Sequence, residues 1–339
     1  MRKILTFVAS SLPMLSVQGQ ESLTIGFIDF YGLRTVTESE VRELLPLTEG
    51  DLVSPDDPYD PTVELEIADA LGVSRVQISW MCCPEPNVVV LHVGVEETPI
   101  PGLEYHPTPT GNAVLPREIL ETAEEIFTAI FAAVRSGQSP EDWSEGHSLS
   151  RNPEIREIQE RYLLYVEQYR EQLLEVLHNS GDEEQRAIAA TVIGYASDKQ
   201  SIIPELEYAV LDPYVGVRNN ATRALAVLAR YGNENPELGI EISPDMYIDM
   251  LNSVFTNDRN KASGLLSILT SSRDPELLAR INERSLLSLI EMCGWKVSSS
   301  SSCVILERVV GLPEQDELHP KEATIAMGLE LLPEKNVVN

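Results

Sequence analysis

The sequence predicts a multidomain protein: a small α+β domain of order β-α-α-β-β, followed by an all-α array of stacked helix pairs. Three observations lead there. A helical phrase recurs in the second half of the chain, as RAIAATVIGYA from Arg186, RNNATRALAVLA from Arg218 and RNKASGLLSIL from Arg259. In each, an alanine follows the arginine by three residues (Ala189, Ala221, Ala262) and an apolar residue follows at helical spacing (Ile193, Leu225, Leu266). Units of this length are helix pairs that bury their apolar faces only against their neighbours. Ahead of them, strand-like alternation is interleaved with capped amphipathic helices, and a Pro-rich stretch separates the two regimes.

From the start of the chain, Arg2 and Lys3 precede an apolar run from Ile4 to Leu15, and Val17-Gln18-Gly19 offers a cleavage site, so residues 1–19 read as a secretory signal peptide. No run reaches the ~18 apolar residues of a transmembrane helix. The mature chain is therefore expected to be exported, periplasmic or extracellular. Asp and Glu number 54 against 25 Lys and Arg, a formal net charge of −29, which disfavours nucleic acid and anionic membrane surfaces as partners.

The α+β domain is placed at 20–99. Leu23 to Phe30 alternates as a strand and Gly32 turns the chain. Thr37 caps a helix with Glu40 completing a capping box, and Val41, Leu44 and Leu45 form its stripe. A turn at Glu49-Gly50-Asp51 leads to a second helix from Pro61 to Leu71, and strands Val76 to Trp80 and Val88 to Val95 close the domain. This order, the spacing of Gly32, Val36 and Val41, the Glu49-Gly50-Asp51 turn and the closing Val93 to Glu97 resemble a POTRA domain. The resemblance implies an extracytoplasmic module that handles polypeptides by pairing a client strand with its sheet edge. No alternating barrel strands follow, so a transport or barrel-assembly role is not carried over.

Residues 100–116 read as a semi-rigid Pro-rich linker. A helical region at 117–180 follows: one helix from Pro116 to near Gly137, a polar loop, then a long helix capped by Asn152, opened by Pro153 and running to His178. The repeats occupy 181–312, with 313–339 as a C-terminal cap or tail. Arg186 and Arg218 are 32 residues apart and Arg218 and Arg259 are 41 apart, the excess falling near Gly232 to Glu241. The Asp before each second helix and the Arg within it, Asp182 with Arg186 and Asp212 with Arg218, resemble HEAT repeats. The resemblance implies a HEAT-like helical solenoid in which Asp and Arg ladder between successive repeats. The third unit departs from the spacing, because Asp258 abuts Arg259.

Candidate chemistry is sparse. Gly146-His147-Ser148-Leu149-Ser150 looks like a nucleophile elbow, but Ser150 stands where the motif needs glycine, and a polar loop stands where it needs a strand. Ser150 or Asn152 as a helix cap is the better reading. The histidines at 92, 106, 147, 178 and 319 lack ligand spacing, and His92 is expected to face solvent or an edge. Asp56, Asp57 and Asp60 lack the pattern of a calcium loop. Four cysteines suit an oxidising compartment. Cys293 and Cys303 flank a turn between helices, so they form a disulfide if their Cα atoms come within ~7 Å. The adjacent Cys82 and Cys83 read as free thiols.

Together these readings describe a non-catalytic exported scaffold or adaptor with no cofactor and no metal. It would bind a protein partner through the solenoid groove, the sheet edge or both, with Asn219, Asn220, Arg223 and Arg230 as the contact set on the second helix of the second repeat. An ordinary solvated face is the plain alternative for those four. For the whole protein the alternative is an accessory enzyme or cofactor-handling protein of the HEAT-like lyase type, which requires a reactive cysteine or acid in the groove.

Overall fold

The computed structural model describes residues 23–54, 60, 62–82, 85, 87–135, 141–315 and 318–332. The expected signal peptide, Asp56, Asp57 and Cys83 lie outside them, as does the side chain of Cys82. A small mixed-sheet region at the N-terminus is followed by a mostly helical body. Two compact units result. One spans 105–243, and the other joins 23–104 with 244–332.

The N-terminal region holds β1 (Leu23–Tyr31), α1 (Glu38–Leu44), β2 (Leu52–Val53), α2 (Thr62–Leu71), β3 (Arg75–Cys82) and β4 (Val88–Glu96). Thr37 and Glu40 form the expected capping box on α1. The sheet order is β2-β1-β4-β3, with β1 parallel to β4 and the other pairs antiparallel. A parallel pair needs a crossover, and α1 and α2 supply it. Their Val41 and Ile67 pack on Ile25, Ile28, Ile78, Val89, Leu91, Val93 and Val95 in one core.

In the 105–243 unit, α3 (Arg117–Arg135) leads to a two-stranded hairpin of β5 (Glu141–Asp142) and β6 (Leu149–Ser150). The stretch read as one long helix is broken into α4 (Pro153–Gln159), α5 (Arg161–Gln168) and α6 (Arg170–Asn179). At the second break Tyr169 leaves helical geometry (φ −117, ψ 21) and donates from its hydroxyl to Glu118 of α3. The apolar residues keep stepping by threes and fours across both breaks, so periodicity alone does not reveal them. Then come α7 (Glu183–Ile193), α8 (Lys199–Ala209) and α9 (Val215–Glu234).

Much of the stretch read as a linker is docked on this unit. His106 N donates to Leu211 O at 2.8 Å, Gly111 N to Asn179 O at 2.8 Å and Leu115 N to Gln185 Oε1 at 2.7 Å, while Gly181 N returns to Gly111 O at 2.8 Å. The ring of His106 stacks on Tyr208 at 4.2 Å. Prolines and the absence of helical pattern are common to free linkers and docked straps, and the backbone bonds that distinguish them leave no mark on composition.

The last stretch carries α10 (Asp245–Met250), α11 (Thr256–Leu269), α12 (Pro275–Gly294), α13 (Ser300–Val309) and α14 (Lys321–Glu330), the last within the expected tail. Here the second face of the sheet finds its cover. Tyr31 donates to Val254 O at 2.6 Å and lies 2.8 Å from Thr256 Oγ1, which is 2.8 Å from Ser79 Oγ. A tyrosine hydroxyl has one proton, so Thr256 donates to Tyr31 and Ser79 to Thr256. Gly94 keeps the approach close, since a Cβ there would lie 2.5 Å from both the Tyr31 ring and Val254 O. The sheet therefore shares a unit with 244–332, and the boundary at 243/244 falls inside the stretch that the sequence reads as one repeat array.

The arginine of each recurring phrase makes the same bond. Arg186 donates to Ser180 O at 2.9 Å, Arg218 to Asp212 O at 2.9 Å and Arg259 to Ser253 O at 2.6 Å, in each case a carbonyl six residues upstream. All three are at most 1% exposed, and the alanines three residues on are fully buried. A guanidinium supplies five donors in a rigid fork, so one side chain ties the turn before its helix and still has donors left. Arg186 directs the remainder at Asp212, bidentate at 2.8 and 2.9 Å. Arg259 directs one to Glu291 at 3.0 Å, and its guanidinium sits 4.5 Å over the Tyr31 ring. Asp182 caps α7 through the amides of Glu184 and Gln185.

Candidate functional site

The residues that the sequence offers as a contact set sit on α9, and each of them makes a side-chain bond within the 105–243 unit. Asn219 is buried and donates to Asn220 Oδ1 at 2.8 Å, and Asn220 donates to Ala187 O at 2.9 Å, tying α9 to α7. Arg223 pairs with Glu141 and donates to Ser148 Oγ at 2.9 Å, which pins the β5–β6 hairpin. Arg230 pairs with Glu234 at 2.9 Å and keeps more than half of its side chain exposed.

Cys293 and Cys303 are joined by a disulfide with Cα atoms 4.7 Å apart, linking α12 to α13. Asp60 is exposed and accepts from Thr62 N at 2.9 Å at the start of α2. Among the described residues no group of three His, Cys, Asp or Glu is placed to hold a metal ion, and no helix is long and apolar enough to cross a membrane.

His92 departs from expectation. It is fully buried, because β4 lies between β1 and β3 and its second face is covered by Trp295, whose ring is 4.8 Å away. Neither ring nitrogen has a hydrogen-bond partner among the described residues. Burial therefore pushes the imidazole down to about 4. Below the unfolded value near 6.5 the unfolded chain takes up a proton that the folded chain refuses, so stability is lost as pH falls from about 6.5 to about 4. The loss amounts to about 3 kcal/mol for this one group. Urea titrations across that range should show a slope in the wild type that His92→Phe removes, and an unchanged slope would contradict the burial.

A concave site of about 510 Å³ lies in the 105–243 unit, between α5, the start of α8 and the end of α9. His147 lines it from the loop between β5 and β6, and Arg156 holds that loop through Asp142 at 2.9 Å and Glu145 at 2.7 Å. His147 is 6% exposed and packs on the Tyr195 ring at 5.2 Å. Its Nδ1 lies 3.4 Å from Lys199 Nζ, whereas its Nε2 has no hydrogen-bond partner among the described residues. Lys199 opens α8 behind its cap Asp198. Burial lowers the ammonium to about 8 against the opposing pull of Glu145 and Glu167. Burial, then the charge of Lys199, lowers His147 as well, so it is neutral in this setting. Glu167 is held ionised by the Ser197 amide and hydroxyl, at 3.0 and 2.7 Å.

The sequence places His147 in a loop without a role and does not single out Lys199. The two are 52 residues apart, and no spacing joins them. The one local signal is Gly146, whose positive φ of 72° lets its backbone lie against Lys199 and Tyr231. No family model, curated protein or solved structure matches the chain.

Proposed function

We propose that the protein is a non-catalytic exported adaptor: a POTRA-like α+β module and HEAT-like helix pairs that bind a protein partner. The observation that carries this reading is the repeated arginine lock, in which Arg186, Arg218 and Arg259 each bond the carbonyl six residues upstream. Helices whose preceding turns are locked in this way present side chains in a fixed geometry within each unit, which suits recognition of a macromolecular surface. The Cys293–Cys303 bond supports export to an oxidising compartment. It also favours the adaptor over a cofactor-handling enzyme of the lyase type, since neither of those two sulfurs is left as a thiolate.

Of the two binding modes, the helical face is favoured over the sheet edge. At the edge strand β3, Ile78 N donates to Glu64 Oε1 at 2.7 Å and Ile78 O accepts from Gln77 Nε2 at 3.2 Å, so a client strand meets groups already taken there. Arg230 is the member of the α9 set with the most exposed side chain. Crosslinked capture from envelope and secreted fractions with the full chain should enrich a protein that Arg230→Glu loses, while circular dichroism of the variant is unchanged. Failure of the wild type to enrich any protein would sink the adaptor reading.

A further inference from the structure

We infer that the cavity beside Lys199 captures a small uncharged aldehyde or ketone as an imine on the Lys199 amine, with His147 moving the protons. The inference goes beyond the adaptor reading and does not depend on it. Three features of the cavity converge. Lys199 is half-buried in the cavity wall and forms no ion pair with any described residue; its hydrogen-bond-range contact is His147 Nδ1 at 3.4 Å. His147 is more than nine-tenths buried and lines the same cavity, and its Nε2 makes no hydrogen bond to a described residue, lying 4.0 Å from Glu145 Oε2. Gly146 lets the His147 loop lie close against the lysine, since a Cβ there would lie 2.7 Å from the Tyr231 ring and 3.0 Å from Lys199 Cε.

The lining sets the ligand class. Glu145, Glu167 and Asp198 repel an anion, and Leu163 and Tyr231 accept an apolar body. A half-buried lysine with a lowered ammonium pKa is the form of the residue that adds to carbonyl carbon. In the step, the Lys199 nitrogen lone pair bonds to the carbonyl carbon as the C=O π bond breaks onto oxygen. His147 Nδ1 takes one proton from the nitrogen and passes it to that oxygen. A second proton, from solvent, lets the hydroxyl leave as water while the nitrogen forms the C=N bond. Nothing is oxidised or reduced, and the product is a protonated imine.

The test treats the full chain with benzaldehyde and sodium cyanoborohydride, which reduces an imine to a stable secondary amine, and maps the labelled peptides. Near neutral pH, Lys199 should be labelled about tenfold or more faster than Lys261, Lys296 or Lys321, as a larger neutral fraction requires. The rate should climb through about pH 8. 4-Formylbenzoate should label Lys199 more slowly than benzaldehyde, because its charge meets the three carboxylates. His147→Gln should slow labelling at Lys199 and leave the other lysines unchanged. Labelling of Lys199 no faster than the other lysines would overturn the inference, and that comparison needs no variant. A rate that rises only above pH 10, or one indifferent to His147→Gln in a folded variant, would overturn it as well.

Discussion

Asp212→Ala is expected to destabilise the 105–243 unit by about 3–5 kcal/mol, the range for removing one partner of a buried ion pair. Asp212 and Arg186 are both nearly inaccessible, and the carboxylate receives two guanidinium bonds together with the amide of Tyr214 at 2.7 Å. Removing it leaves a buried cation bonded only to the Ser180 carbonyl and uncaps the turn into α9. Arg186→Met should cost a similar amount, since it strands the carboxylate and frees Ser180 O. The double variant should lose clearly less than the two singles added, because no charge is then left unpaired. Urea unfolding followed by Trp143, which lies in this unit, measures all four states. Singles that cost below about 1 kcal/mol would place the pair in water, as for an exposed bridge.

Arg259→Met is the counterpart in the other unit, with an expected cost of about 3–4 kcal/mol, since it empties several buried bonds at once. Its guanidinium serves Ser253 O, Asn252 O and Glu291, and lies over Tyr31. Methionine fills part of the volume but offers no donor, so two carbonyls and a carboxylate oxygen each lose a bond. Glu291 keeps Arg34 at 2.7 Å and the Gly32 amide at 3.3 Å, which holds the loss below that of a fully stranded charge. Trp80 in the sheet and Trp295 beside His92 belong to this unit, and Trp143 to the other. Single-tryptophan forms should show Trp80 and Trp295 shifting together and Trp143 unmoved. A shift at Trp295 alone would mean that the arginine ties only helices to helices.

Much of the local structure was legible in the sequence, and the reasons are specific. Alternation from Leu23, the Thr37–Glu40 box and the stripe of Val63, Ile67 and Leu71 located β1, α1 and α2, because each is settled by neighbours a few residues away. The recurring arginines marked α7, α9 and α11 as helices for the same reason. What escaped depends on distant partners. His92 alternates like a surface residue until Trp295, over 200 residues on, covers it. The strap from His106 to Leu115 reads as a linker until Asn179 and Leu211 bond it. The breaks at Glu160 and Tyr169 preserve helical spacing, and α14 has too weak a stripe to stand out from a tail. The Lys199–His147 cavity follows from the hairpin that Arg223 and Arg156 pin, and neither arginine carries a motif.

The N-terminal sheet and residues 244–332 form one unit although they are far apart in the chain. Native-state hydrogen exchange of the full chain in rising denaturant tests it most directly. Amides of β4 and of α12 and α13 are expected to open together with one free energy, apart from those of α7 and α9. If β4 instead exchanges independently of α12 and α13, the sheet is an autonomous domain, and the unit made from both ends of the chain does not exist.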